Sequence, residues 1–118
     1  MVFDWRDYFR LASEICPDGV LLDPLCQAKI RSAISRFYYA AYMFAREHLE
    51  AEGFTIRRED NQHVVVWNQY RHSNDRWKSK IGHKGFVLKD KRVTADYCSD
   101  VTCNMDDLEE SRQWASLS

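Results

Sequence analysis

The sequence predicts an all-α protein of four to five helices in a single domain, and three observations carry that prediction. One uninterrupted helical periodicity runs from Asp23 to Gly53 through the densest group of aromatic residues in the chain. Most other apolar clusters sit in stretches of helical spacing, with Asp4 poised to cap the first and Asn104 the last. The length of 118 residues, 45% of them hydrophobic and 14% aromatic, suits one compact core and is short for two.

The central helix is bounded by Asp23 as N-cap, Pro24 at the first helical position and Gly53 behind a polar last turn. Ile30, Ala33, Ile34, Phe37, Tyr38, Ala41, Phe44, Ala45, His48 and Leu49 fall on one broad face, wider than the stripe of a surface helix. On that face His48 is expected as a hydrogen-bonded core residue. The opposite face carries Tyr39, Tyr42 and Met43 among Arg36, Arg46 and Glu47. Either another helix of the same chain covers this face, or it is a contact with a second subunit in a homodimer or hetero-oligomer. Arg36, Tyr39 and Met43 would then be the interface residues.

The remaining elements follow in order. Asp4 to Cys16 reads as an amphipathic helix with Trp5, Tyr8, Phe9, Leu11, Ala12, Ile15 and Cys16 inward, and Pro17 to Leu22 as a turn making the first two helices antiparallel. After Gly53 a polar connector ends near Asp60, a possible cap for a third segment over His63 to Tyr70. The triplet Val64-Val65-Val66 suits a short strand as well as a helix. Arg71 to Gly85, with two glycines and many charges, reads as a mobile connection or an irregular helix start. Its Arg76, Lys78, Lys80, His83 and Lys84, interleaved with Trp77, suit either a solvated connector or a surface contacting nucleic-acid phosphates. Phe86 to Tyr97 forms a fourth helix, in which Arg92 and Asp96 are spaced for an ion pair. The last begins after Asn104, with Met105, Leu108, Arg112 and Ala115 along one side.

Several function classes are disfavoured. With 17 basic and 18 acidic residues and a net charge of −1, nothing draws the whole molecule to nucleic acid, so such binding needs a local patch. No run approaches 18 apolar residues and the first residues lack the pattern of a signal peptide, so a soluble, cytoplasmic protein without membrane contact is expected. Cys16, Cys26, Cys98 and Cys103 are then reduced thiols, and no Cys/His spacing calls for a metal. A phosphate loop, a Ser-His-Asp arrangement and a dinucleotide fingerprint are missing, and no cofactor is expected.

Two stretches resemble a known family. Ser35-Arg36-Phe37-Tyr38-Tyr39-Ala40-Ala41 is similar to the run on the long helix of small bacterial and archaeal HEPN-domain proteins, and Arg92 with Ala95-Asp96-Tyr97 looks like the end of that family's fourth helix. The resemblance implies a HEPN-like antiparallel bundle, a helical third segment, frequent dimerisation, and a place in toxin–antitoxin or antiviral systems. There the role is RNA cleavage without a metal, or partnership with a nucleotidyltransferase. Catalytic members carry Arg, four to six residues, then His. Here Tyr97 stands at the His position after Arg92, which makes Arg92, Asp96 and Tyr97 the site by resemblance. It also favours the non-catalytic adaptor over the ribonuclease, since a phenol with a pKa near 10 is a poor base at neutral pH. Arg58 with His63 and Arg76 with His83 satisfy the bare spacing elsewhere. His72 reads as a surface residue.

Overall fold

The computed structural model describes residues 3–15, 25–57 and 61–116. Asp23, Pro24, Cys16, Arg58, Asp60 and the turn at 17–22 lie outside these residues. Five helices make up the described fold: α1 (Arg6–Ile15), α2 (Cys26–Ala51), α3 (Gln62–Arg71), α4 (Arg76–Tyr97) and α5 (Met105–Ala115), with no strand among the described residues. No described helix is long and apolar enough to cross a membrane.

α2 is the axis of the molecule, packed against α1, α4 and α5 and more narrowly against α3. Its buried residues include Ile34, Phe37, Tyr38, Ala40, Ala41, Tyr42, Ala45 and Leu49, which cover most of its circumference. Two expectations for its faces are thereby corrected. Tyr42, assigned to the outer face, is buried, while Phe44 and His48, assigned to the core, are exposed. His48 is 57% exposed and its Nε2 lies 2.7 Å from Glu52 one turn on, so it is a surface residue rather than a core one. The helix stops at Gly53, which takes φ +94°, a left-handed conformation that favours glycine. The Gly53 amide donates to Glu50 O and the Phe54 amide to Leu49 O, and Phe54 folds back onto the core.

Caps fix the other helices. Asp4 Oδ1 accepts from the Arg6 amide at 2.9 Å, and Phe9 of α1 meets Phe37 edge-on at 4.9 Å. Leu11, expected inward, is exposed. The valine triplet is helical: Asn61 caps α3 through its side chain, and Val66 and Trp67 are buried. At α5 Asn104 and Asp107 form a reciprocal capping box, and Leu108, Ser111 and Ala115 are the buried side; Arg112 faces outward and pairs with Glu109.

The largest departure from expectation lies between Arg71 and Gly85. α4 does not start at Phe86 but at Arg76, capped by Asp75, whose Oδ1 accepts from the Trp77 and Lys78 amides. Gly82 and Gly85 are buried helical residues, not breaks. A Cβ on Gly82 would collide with the Arg71 backbone, and one on Gly85 with the Trp67 ring. Opposing Gly82 to Arg71 and Gly85 to Trp67 makes α3 and α4 an antiparallel hairpin with close backbones. The buried residues of α4, Gly82, Gly85, Leu88, Arg92 and Ala95, recur every three or four positions and form one inward stripe.

An exposed helical glycine replaced by alanine gains about 1 kcal/mol from propensity. At Gly85 overpacking against Trp67 costs about 1–3 kcal/mol. Gly85→Ala is therefore expected to lower the melting temperature in a circular-dichroism scan; a raised value would contradict the close helix–helix contact.

Candidate functional site

The two stretches that carry the family resemblance, one on α2 and one on α4, meet in space. Ser35 Oγ donates to Asp96 Oδ2 at 3.2 Å, and the Arg92 guanidinium lies 5.5 Å from the centroid of the Tyr38 ring and 5.4 Å from that of Tyr39. Tyr97 stands on the outer side of the same guanidinium at 5.9 Å. Arg31 reinforces the junction from α2 by donating to the carbonyls of Thr94, Ala95 and Cys98 at the end of α4, a position that also suits its charge to the helix dipole. The spacing that suggested an Arg92–Asp96 pair is realised at 3.6 Å.

α3 completes the cluster. The hydroxyl of the fully buried Tyr38 accepts from Trp67 Nε1 at 3.0 Å and lies 2.6 Å from His63 Nδ1. An indole N–H only donates, so the phenol spends one lone pair on Trp67 and its own proton requires an acceptor. His63 Nδ1 is the acceptor in reach. The neutral ring consequently carries its proton on Nε2, and it is stacked on Tyr42 with centroids 4.0 Å apart. Burial first, then the charges of Arg92, Lys89 and Arg46, push the His63 pKa down to about 4. Burial likewise drives the Tyr38 phenol upward.

This chemistry is poorly suited to proton abstraction. His63 is neutral at pH 7, but its Nδ1 lone pair is engaged by Tyr38 and its Nε2 carries a hydrogen. Arg92 is only 10% exposed, sandwiched by tyrosines, with its Nε buried and unpaired. Tyr97 is 74% exposed. Among the residues expected as a site, Arg92, Asp96 and Tyr97 therefore stay together, and His63 joins them from another helix. The expected outer face of α2 is partly covered within the chain: Arg36 lies over the Tyr8 ring of α1 at 5.7 Å, Tyr39 meets the His63 ring edge-on, and Met43 packs on the core.

The exposed cations gather elsewhere. A groove of about 680 Å³ runs between the end of α3, the first half of α4 and the end of α5, lined by Arg71, His72, Arg76, Lys80, His83, Lys84 and Trp114. No carboxylate of a described residue lines it. Outside the groove, Arg6, Arg10, Arg46, Lys78, Lys91, Arg92 and Arg112 each sit beside an Asp or Glu, whereas Arg31, Arg36, Arg57 and Lys89 have no such partner among the described residues. Arg71, Arg76, Lys80 and Lys84 have no carboxylate partner among the described residues. Instead Arg71 lies over Phe86 and Lys84 over Trp114, both within 5.8 Å of the ring centroids. Of the five residues expected to contact phosphate, Arg76, Lys80, His83 and Lys84 line this groove. Lys78 points to the other side of α4 and pairs with Glu52 at 3.3 Å. Arg71 and Trp114 come from α3 and α5, so no local spacing in the sequence announced them. Arg76 and His83 both line the groove, but no described group orients the His83 ring, as a general base would require.

Among the described residues no cluster of His, Cys, Asp and Glu is arranged to hold a metal. Compared with known proteins, the chain matches no family model, no curated protein and no solved structure.

Two measurements test the cluster. The His63 ring is expected to titrate by NMR near pH 4 and to show the Nε2–H tautomer; a midpoint near 6.5 or an Nδ1–H ring would refute the Trp67–Tyr38–His63 chain. Its depressed pKa means that the unfolded state takes up a proton first as pH falls below about 6.5, so the folded state loses stability between there and about pH 4. Because the ring is about half-buried, that loss is discounted to roughly 1–2 kcal/mol. Arg92→Ala, which empties a buried position among three tyrosines, is expected to cost about 2–4 kcal/mol, whereas Tyr97→Phe should melt like the parent protein. Equal melting of the Arg92 variant and the parent would show that Arg92 is not structural.

Proposed function

We propose that this protein is a non-catalytic, RNA-associating helical module of HEPN type that binds the phosphate backbone through the groove between α3, α4 and α5. The observation that carries the reading is the clustering of cations without carboxylate partners in one groove. In a molecule of net charge −1, Arg71, Arg76, Lys80 and Lys84 share one groove in which no described carboxylate answers them. Unpaired cations along one channel are what a polyanion with regularly spaced charges requires, and their counterions are released when it binds.

A non-catalytic role is supported by the state of the histidines. His63 beside Arg92 offers a hydrogen-bond donor rather than a base, and its partner arginine is enclosed. The resemblance of Ser35–Ala41 and Arg92–Tyr97 to HEPN proteins supports a setting in a toxin–antitoxin or antiviral system, with a nucleotidyltransferase or a second copy as partner. A ribonuclease reading would need the Arg92 cluster to admit a phosphate.

The reading is tested by filter binding of a short single-stranded RNA at several salt concentrations. Lys80→Ala with Lys84→Ala is expected to weaken binding roughly tenfold at about 0.1 M salt and to flatten the slope of log K against log salt by about 0.7 per contact removed. Melting should be unaffected. Unchanged affinity and slope would exclude the groove, and cleavage that survives Arg76→Ala and His83→Ala but not His63→Gln would restore the ribonuclease reading.

A further inference from the structure

On the other side of the first half of α4 lies a cleft of about 430 Å³, within the size range of small-molecule sites. Its walls are two exposed aromatic side chains on different helices, Phe44 of α2 and Trp77 of α4, 40% and 55% exposed. Neither ring has an aromatic partner among the described residues. The floor is Ala45, Ile81 and Tyr70; the Tyr70 hydroxyl donates to Ala45 O at 2.8 Å and is occupied. The rim is polar. Glu52 draws His48 Nε2 to 2.7 Å and Lys78 Nζ to 3.3 Å, and these neighbours hold its carboxyl below the usual range. Apolar walls with hydrogen-bonding groups confined to one edge match a planar heteroaromatic ring, whose faces are apolar and whose edge is polar.

What ties this cleft to a particular occupant is the contact of its Trp77 wall with a cation of the basic groove. Lys80, which lines the groove, holds its ammonium 5.8 Å from the centroid of the Trp77 ring, which walls the cleft. Arg76 precedes Trp77 directly on the same helix. A backbone lying along Arg76 and Lys80 thus passes beside an unfilled aromatic wall. Only an unpaired base can leave the stack and reach it.

We propose that the Phe44–Trp77 cleft receives an unpaired base of the nucleic acid whose phosphates lie in the groove, so that the protein selects single strands over duplexes. This rests on the groove reading given above and adds the substrate class to it. The bound base stacks on Trp77, and the Lys78 ammonium and His48 imidazole meet its polar edge.

The test uses the full chain, a single-stranded RNA of about 12 nucleotides and the duplex of the same sequence. The parent protein is expected to bind the single strand more tightly. Stacking of one base on an aromatic is worth about 1–3 kcal/mol, so Trp77→Ala should weaken single-strand binding roughly 5- to 150-fold while leaving duplex binding in place. Phe44→Ala should do the same to a smaller degree. Both residues are exposed, and unchanged melting would confirm that the variants fold. If Trp77→Ala leaves the single-strand affinity unchanged while Lys80→Ala with Lys84→Ala lowers it, the cleft is rejected and the groove stands. Absence of binding to either form by the parent protein rejects the groove and the cleft together. Concentration-dependent dimerisation abolished by Trp77→Ala, without an effect on RNA, would show that the cleft takes a second copy and would overturn the proposal.

Discussion

Three helices meet at Tyr38, whose hydroxyl binds α3 and whose ring supports α4. It is buried on α2, and a phenol in that position must satisfy both its lone pair and its proton inside the protein. Trp67 supplies the donor and His63 the acceptor, both from α3, which fixes how far that helix can slide along α2. The ring of the same tyrosine supports the Arg92 guanidinium of α4. A desolvated guanidinium is costly unless something replaces its water. Here the replacements are the faces of Tyr38, Tyr39 and Tyr97 and the Asp96 carboxylate. The hydrogen-bonded chain is cooperative, because loss of Trp67, Tyr38 or His63 leaves a buried polar partner unmatched.

This enclosure separates the Arg92 charge from those open to solvent. Arg92 belongs to the inward stripe of α4 and holds the bundle, and positive charge near it also keeps His63 neutral. The cations of the groove are in the opposite situation: the Arg71 guanidinium lies over Phe86 and the Lys84 ammonium over Trp114, with no carboxylate partner among the described residues. Enclosed and open charges are thus separated along one helix, with Arg92 in the second half of α4 and Arg76, Lys80 and Lys84 in the first.

Much of the helix order was legible because it rests on local signals. Asn104 with Asp107, Asp4, and the aromatic run of α2 each encode a helix within a few residues. Gly53 encodes a stop in the same way. The start of α4 was missed for a different reason. Gly82 and Gly85 read as flexibility when their cause is non-local: only glycine lets α4 approach Trp67 and Arg71, which are about fifteen residues earlier in the chain and on another helix. The stripe of Gly82, Gly85, Leu88, Arg92 and Ala95 has a helical period, but glycine and arginine hide it from any count of apolar residues. His63 was likewise visible only as half of a spacing with Arg58, because its partner Tyr38 is brought near by the fold. Phe44 and His48 were misplaced because α2 is buried over so much of its circumference that its solvent-facing sector cannot be read from apolarity alone.

The same two glycines that concealed α4 also explain where its two surfaces lie. Since Gly82 and Gly85 commit one side of the helix to α3, the residues beside that contact must diverge to left and right of it. Arg76, Lys80, His83 and Lys84 emerge toward α5, and Trp77, Lys78 and Ile81 emerge toward α2. Each set meets side chains that complete it: Trp114 and Arg71 on the first side, Phe44 and Tyr70 on the second. A basic channel and an aromatic cleft on adjoining sides of one helical segment are therefore a geometric consequence of a close α3–α4 contact. A looser contact would let α4 rotate and the two surfaces lose register, so the packing at Gly85 and the alignment of groove with cleft stand on the same backbone distance.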